Sequence, residues 1–167
     1  MKKIVFIMSI MLLVLAGCST KQEYVRITFN TVGGRPVDDI VMVKGSKAIG
    51  LPVPTKVGHT FAGWYLDNQY KVRFDESKVG TESVNLFAKW TINTYTLSFN
   101  SNGGSEVAPI VALFDSFIVE PAPPVKYGAN FGGWFIDVNF IFEFTYWRMP
   151  SSSVTLHAKW IPNSHDI

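Results

Sequence analysis

The chain has few of the residues on which metal sites and disulfide frameworks depend. It contains one cysteine and three histidines in 167 residues. A single cysteine excludes an intramolecular disulfide and any zinc site built from several cysteines. The formal net charge is only +2, which Lys2 and Lys3 account for, and this excludes a strongly basic nucleic-acid-binding protein. With 47% hydrophobic and 17% charged residues, the chain is too apolar to be disordered.

The longest apolar run lies at the N-terminus. Residues 4–16 are apolar apart from one serine and follow two lysines, which is typical of a secretory signal peptide. As a helix the run would span about 20 Å, too short for a hydrocarbon core of about 30 Å. The segment Leu15-Ala16-Gly17-Cys18 resembles the bacterial lipobox, which implies a lipid on Cys18 and cleavage before it. The alternative is an ordinary signal peptide in which Cys18 is incidental.

We therefore predict a signal peptide over residues 1–17 and a lipidated tether over 18–23. Two acyl chains on one cysteine are enough for stable membrane anchoring. The protein is then expected on the extracytoplasmic side of a bacterial envelope membrane, anchored to it without spanning it.

The rest of the chain is an internal repeat. A shift of 70 residues aligns 25–90 with 95–160 without a gap, and four of the five tryptophans fall on matched positions. This predicts two domains of one fold, repeat 1 over 24–92 and repeat 2 over 93–161, followed by a tail over 162–167. The short linker 91–94 contains no glycine or proline.

Each repeat is predicted to be mainly β. Residues 25–30 and 95–99 alternate apolar and polar side chains, and a Gly-Gly turn follows each run. A second apolar run covers 39–44 and 109–114. A third, over 59–66 and 130–136, is apolar on both faces, which favours a central strand. Residues 84–90 and 154–160 close the repeats. At most a short helical turn fits, near residues 75–79 or in the proline-rich connection.

The order of motifs resembles a known family. Repeat 1 reads Phe29-Asn30-x-x-Gly33-Gly34, Pro54-x-Lys56-x-Gly58, Phe61-x-Gly63-Trp64 and Leu86-x-Ala88-Lys89-Trp90, and repeat 2 carries the same motifs. This order is similar to the Listeria–Bacteroides repeat, the InlB B-repeat family. The resemblance implies a β-grasp-like (ubiquitin- or SUMO-like) module of secreted bacterial surface proteins, and no catalytic residues come with it. Val32 departs from the family pattern, which has a polar residue before Gly-Gly.

The residues give no indication of catalysis, a metal or a cofactor. His59 and His157 align with Ala129 and Phe87, so neither histidine is required by the module. The adjacent acid pairs of repeat 1, Asp38-Asp39 and Asp75-Glu76, are absent from repeat 2 and are typical of solvated turns. We therefore predict that the protein is not an enzyme.

Differences between the repeats point to a candidate site in repeat 2. Five large apolar residues replace polar ones: Phe114, Phe117, Ile141, Tyr146 and Trp147 stand where repeat 1 has Lys44, Lys47, Lys71, Glu76 and Ser77. If repeat 1 exposes these positions, repeat 2 exposes an apolar patch, which is typical of an interaction surface. Truncating Trp147 is then expected to cost under about 1 kcal/mol, as surface changes do. Packing between the repeats, or no coherent patch, are the alternatives.

Three functions remain open. The first is a non-enzymatic surface lipoprotein whose repeats act in protein interaction, adhesion or spacing. The second is a carbohydrate-binding module. Coplanar, exposed rings of Phe140, Tyr146 and Trp147 would indicate this function. The third is a pure spacer, which would bury every aromatic ring of repeat 2.

The two halves of the chain also carry opposite net charges. Residues 21–92 contain 10 basic and 7 acidic groups, and residues 93–167 contain 3 basic and 6 acidic groups. A net +3 beside a net −3 weakly favours contact between repeats.

Overall fold

The computed structural model describes residues 21–77 and 80–163. Repeat 1 contains β1 (Tyr24–Asn30), β2 (Ile40–Val43), β3 (His59–Tyr65) and β4 (Val84–Ile92), and repeat 2 contains β5 (Thr94–Asn100), β6 (Ile110–Leu113), β7 (Ala129–Phe135) and β8 (Val154–Pro162). These strands correspond to the predicted runs, which confirms the mainly β class. The described residues contain no helix, and the β-grasp detail stays a prediction. The signal peptide, Cys18 and most of the tail lie outside the described residues.

Each repeat forms its own four-stranded mixed sheet. The strand order is β2-β1-β4-β3 in repeat 1 and β6-β5-β8-β7 in repeat 2. The central pair of each sheet is parallel, and the two outer pairs are antiparallel. β3 and β7 are therefore edge strands, and the prediction that the third apolar run would be central is wrong.

The free edge of β3 is covered, which explains its apolar character on both faces. The Phe74 N–H donates to the Trp64 carbonyl and the Leu66 N–H to the Val72 carbonyl, each over 2.9 Å. Residues 142–144 cover β7 through the equivalent two bonds. An edge strand shielded in this way can carry apolar side chains as a central strand does.

A separate core fills each repeat. In repeat 1 the buried residues include Ile27, Trp64 and Leu86, and in repeat 2 their counterparts Leu97 and Trp134 are buried with Leu156. Phe61 and Phe131, together with Trp90 and Trp160, pack against these cores. Each module has about 70 residues and a poor ratio of surface to volume, so large aromatic rings supply most of the area that it can bury.

The Gly-Gly turn after β1 and β5 depends on its two glycines for different reasons. Gly33 has φ +78°, a conformation that disfavours a Cβ atom. Gly34 has no such φ, but a Cβ there would lie 2.5 Å from the Trp90 ring. The Trp90 indole N–H donates to the Thr31 carbonyl over 2.9 Å, so the ring closes over the turn. Repeat 2 repeats this arrangement with Gly104 and Trp160.

Val32 occupies a strained position in the same turn. Its φ is +48°, identical to that of its counterpart Asn102. Asparagine tolerates this left-handed conformation, whereas a β-branched residue does so at a cost. Asn102 also donates its side-chain amide to the Ala158 carbonyl over 2.8 Å, a bond that valine lacks.

We expect Val32→Asn to stabilise repeat 1 by about 1 kcal/mol, through relief of backbone strain and the added hydrogen bond. Urea unfolding followed by tryptophan fluorescence measures the change. The matched reverse variant, Asn102→Val, should lose a similar free energy in repeat 2. Equal stability of Val32→Asn and the unmodified chain would show that the turn absorbs the strain.

An aspartate closes the turn that follows β3 and β7. The carboxylate of Asp137 accepts the N–H groups of Phe142 (2.8 Å), Ile141 (3.0 Å) and Asn139 (3.0 Å). The bond from the Phe142 N–H is the largest cause that lowers the pKa of Asp137 below its ordinary value. Asp67 does the same in repeat 1, where the Val72 N–H is the largest cause of its lowered pKa.

These two lowered pKa values predict a loss of stability in acid. A carboxyl group whose pKa is lower in the folded than in the unfolded chain stabilises the fold above its unfolded pKa of about 3.9. That contribution disappears as the pH falls through the folded pKa. Asp67→Asn/Asp137→Asn should therefore be less stable at pH 7 and lose less stability between pH 5 and pH 3, measured as urea midpoints. An unchanged acid dependence in the double variant would assign the acid sensitivity to other groups.

No helix among residues 21–77 and 80–163 is long and apolar enough to cross a membrane.

Candidate functional site

Phe114 lies at the joint between the repeats rather than on a free surface. It follows β6, is half-buried, and its ring occupies the space where a Cβ of Gly58 would stand. The ring also meets His59 edge to face, with 6.0 Å between centroids. Gly58 has φ +68° and no Cβ atom, so the Phe114 ring packs directly against its backbone. Of the alternatives that the sequence left open for this residue, Phe114 follows packing between the repeats.

Asn93 connects the same two surfaces through the backbone. Its N–H donates to the Gly58 carbonyl over 2.9 Å, and its own carbonyl accepts the Phe114 N–H over 2.8 Å. Its side chain accepts the Thr60 hydroxyl over 2.7 Å and donates to the Tyr95 hydroxyl over 3.1 Å. The linker is therefore bonded on both sides.

We expect Phe114→Lys to loosen the joint without unfolding either repeat, because lysine is the residue of repeat 1 at this position. Residual dipolar couplings of the two sheets measure the change, since a loosened joint gives the repeats different alignment tensors. The matched control is Phe117→Lys, which also installs the residue of repeat 1 but leaves the joint intact. Unchanged alignment in Phe114→Lys would show that Asn93 alone holds the repeats together.

Residues 116–118 and 147–149 form a short ladder that builds the exposed part of the site. The Ile118 N–H donates to the Trp147 carbonyl and the Met149 N–H to the Ser116 carbonyl, each over 3.0 Å. Side chains alternate along the ladder, so Ile118, Trp147 and Met149 turn toward the second core. The directly opposite pair between these bonds, Phe117 and Arg148, turns outward.

Arg148 is enclosed by two exposed aromatic rings. Its guanidinium carbon lies 3.7 Å from the centre of the Phe117 ring and 5.9 Å from that of Tyr146. These rings are 79% and 69% exposed. Asp115 fixes the guanidinium by accepting at its carbonyl (2.5 Å) and its carboxylate (3.2 Å). Arg148 Nε is buried and has no partner among the described residues. Stacking of this kind orients an arginine while leaving its outer face available.

A groove runs beside this stack. It has a volume of about 340 Å³, and its walls come from Phe114, Asp115, Ile136, Glu143, Phe144, Thr145, Tyr146, Arg148, Met149 and Pro150. We call these residues, with Phe117, the aromatic–arginine groove. Two carboxylates and one guanidinium lie within a mostly apolar lining, so the groove combines apolar area with charges of both signs.

The five predicted site residues separate into three groups. Phe117 and Tyr146 come together around Arg148. Phe114 and Trp147 are half-buried. Phe114 lies at the joint and also lines the groove, whereas Trp147 packs against the second core, where its ring centroid lies 5.2 Å from that of Phe144. Ile141 is 68% exposed but belongs to the Asp137 turn, outside the groove. The exposure predicted for Trp147 is therefore wrong, and the role of all five in binding stays a prediction.

Arg148 is the residue of the site that comparison of the repeats did not identify. Its counterpart in the sequence is Lys78, and a change of lysine to arginine preserves charge, so it carries no signal of altered polarity. Its importance follows from the planar guanidinium, which stacks on aromatic rings as an ammonium does not.

Within the part of the chain that the structure describes, no group of three His, Cys, Asp or Glu residues could hold a metal ion.

The three aromatic rings predicted to form a sugar-binding platform, those of Phe140, Tyr146 and Trp147, do not form a flat surface. Phe140 packs edge to face on Phe135 at an interplanar angle of 83°, and Trp147 packs on Phe144 at 89°.

Comparison with known proteins identifies both repeats. The model of the Listeria–Bacteroides repeat domain matches residues 26–89 and again residues 95–159. The chain is similar to two proteins of Evansella cellulosilytica named as membrane proteins. One is 38% identical over 143 residues, which is 84% of this chain and 22% of that protein. The other, named as Gly-rich, is 40% identical over 145 residues, which is 84% of this chain and 17% of that protein.

A third relative is Internalin H of Listeria monocytogenes. It is 32% identical over 117 residues, which is 67% of this chain and 21% of that protein. The chain thus spans about a fifth of the length of the curated relatives that it matches.

Proposed function

Because this chain belongs to the Listeria–Bacteroides repeat family, we propose that it is a lipid-anchored, non-enzymatic envelope protein whose second repeat binds a protein partner. Relatives named as membrane proteins and an internalin support an envelope location. The lipobox at Leu15-Ala16-Gly17-Cys18 supports the anchor. Repeat 1 then acts as the spacer that holds repeat 2 away from the membrane.

The aromatic–arginine groove is the observation that carries the binding role. Tyrosine and arginine are enriched among the residues that dominate binding energy at protein interfaces. Here Arg148 is already held between Phe117 and Tyr146 by Asp115, so little side-chain entropy remains to be lost when a partner binds. Repeat 1 has Lys47 and Glu76 at the positions of the two rings, which shows that the module does not need aromatic residues there to fold.

A sugar platform and a pure spacer are both less well supported. A flat glycan platform made of Phe140, Tyr146 and Trp147 needs these three rings to be coplanar and exposed, whereas Phe140 and Trp147 are half-buried in two separate edge-to-face pairs. A spacer without a ligand would bury its aromatic residues, whereas Phe117, Phe142 and Tyr146 are each more than 60% exposed.

The binding role is tested with the residues of repeat 1 as replacements. The full chain, immobilised through its lipid in supported bilayers, is exposed to purified envelope and host surface proteins. We expect Phe117→Lys/Tyr146→Glu to weaken binding at least tenfold, which corresponds to about 1.4 kcal/mol. The converse variant Lys47→Phe/Glu76→Tyr in repeat 1 is the matched control and should bind like the unmodified chain. Equal binding by both double variants would exclude the groove, and binding to glycans alone would favour the carbohydrate function.

The lipid anchor is tested separately. A Cys18→Ala variant should fail to take up a fatty-acid probe, whereas Cys18→Ala and the unmodified chain should label equally if Cys18 is incidental.

A further inference from the structure

Repeat 2 contains a second cavity that shares no lining residue with the aromatic–arginine groove. It lies where β5 ends beside β8 and has a volume of about 380 Å³. Its principal walls come from Asn100, Asn102, Lys126, Phe140, His157 and Trp160. We call it the polar pocket.

The polar pocket contains a cation without a carboxylate partner. The Lys126 ammonium donates to the Asn102 carbonyl over 2.8 Å and lies 5.6 Å from the centre of the Trp160 ring. Its other N–H groups meet no carboxylate among the described residues. Asp137 begins the turn that supplies Phe140, but its carboxylate is occupied by the N–H groups of that turn. The free N–H groups of Lys126 are therefore suited to an anion.

Neutral polar groups with unused capacity line the same pocket. Asn102 donates its amide to the Ala158 carbonyl over 2.8 Å, which leaves its side-chain oxygen as an acceptor. Nδ1 of His157 faces the Asn100 amide at 3.5 Å, and Nε2 has no partner among the described residues. Both groups can bond to hydroxyls.

The remaining wall of the pocket is aromatic. Phe140 and Trp160 line it, and aromatic rings bind the apolar face of a sugar ring. These contacts together describe one class of ligand. It has a carboxylate for Lys126, hydroxyls for Asn102 and His157, and an apolar face for the aromatic rings.

Repeat 1 has counterparts of Lys126 and Trp160 but not of the polar residues Asn102 and His157. Lys56 and Trp90 hold the same relation, with the ammonium 5.8 Å from the ring centre. At the positions of Asn102 and His157, however, repeat 1 has Val32 and Phe87. The lysine and tryptophan therefore serve the turn in both repeats, whereas Asn102 and His157 add hydrogen-bonding groups in repeat 2 alone.

We propose that the polar pocket binds a sugar acid, with the carboxylate on Lys126, hydroxyls on Asn102 and His157, and the ring against Trp160 and Phe140. This site is independent of the proposed protein-binding groove, so variants at Phe117 and Tyr146 should leave it unaffected.

The test titrates sodium glucuronate, glucose and acetate separately into the full chain in detergent micelles. The tryptophan indole N–H signals and the histidine ring signals are followed by NMR. We expect glucuronate to shift the Trp160 and His157 signals saturably, and to bind about tenfold more tightly than glucose or acetate, since each of these lacks one half of the ligand. A glucuronate-containing tetrasaccharide is titrated alongside. Tighter binding of the tetrasaccharide identifies a polysaccharide as the source, and equal or weaker binding identifies the free acid.

Two variants decide whether the pocket is responsible. His157→Phe installs the residue of repeat 1 and should weaken glucuronate binding about tenfold, the loss of one hydrogen bond that the ligand depends on. Lys126→Gln should abolish the preference for glucuronate over glucose, and Lys56→Gln in repeat 1 is its matched control. The proposal is overturned if glucuronate and glucose bind equally, if neither shifts the Trp160 signal, or if His157→Phe binds glucuronate normally.

Discussion

Replacing Trp134 with alanine is expected to destabilise repeat 2 by about 3–5 kcal/mol, the usual cost of truncating a buried aromatic residue. Trp134 is 2% exposed and lies at the centre of its core, with its ring against Phe99 and Phe131 at 4.8 and 5.3 Å. Urea unfolding of the full chain should show an early transition for repeat 2 and an unchanged one for repeat 1. The matched variant Trp64→Ala should reverse the order.

Phenylalanine substitutions separate ring packing from hydrogen bonding. The Trp134 indole N–H is buried without a hydrogen-bond partner among the described residues, whereas that of Trp64 donates to the Pro52 carbonyl over 2.9 Å. Trp134→Phe should therefore cost less than Trp64→Phe, by about 1 kcal/mol for the lost bond. Equal costs would contradict this assignment.

Trp147→Ala provides the comparison within repeat 2. The sequence predicts a small cost, but the ring is half-buried against the second core, and we now expect about 1–3 kcal/mol. A cost below that of Trp134→Ala agrees with its partial burial. A cost near zero would show that the ring lies free in solution, as the comparison of the repeats predicts.

Gly104→Ala should destabilise repeat 2 by about 1–3 kcal/mol through overpacking alone. Its φ is compatible with alanine, but the added Cβ would meet the Trp160 ring and lie 3.2 Å from the Val125 carbonyl. The ring cannot turn away easily, because its indole N–H donates to the Ser101 carbonyl over 2.8 Å. Thermal or urea unfolding measures the loss.

A double-mutant cycle identifies the cause. Trp160→Phe removes the part of the indole that the new Cβ would meet, so Gly104→Ala should cost less in that background than in the unmodified chain. Strict additivity of the two substitutions would place the strain elsewhere in the turn. Gly34→Ala and Trp90→Phe form the same cycle in repeat 1.

The repeats, their strands and their family follow from local sequence patterns. The period of two and the Gly-Gly turns are properties of neighbouring residues, and the matched tryptophans follow from aligning the chain with itself. Together they place β1 to β8 near their observed positions. The family motifs also follow, although the reason for each glycine does not. Gly34 is required because Trp90, distant in sequence, closes over it.

Tertiary structure decided the strand order and the site. β3 has the apolar pattern of a central strand, but a return segment covers its free edge, and no local pattern records that pairing. Likewise, polarity changes between repeats selected five residues as one surface, whereas the fold places Phe114 at the joint beside the groove, Trp147 against the core and Ile141 in another turn. Side chains alternate along the ladder of 116–118 and 147–149, so its pairing alone determines that Phe117 and Arg148 face outward together.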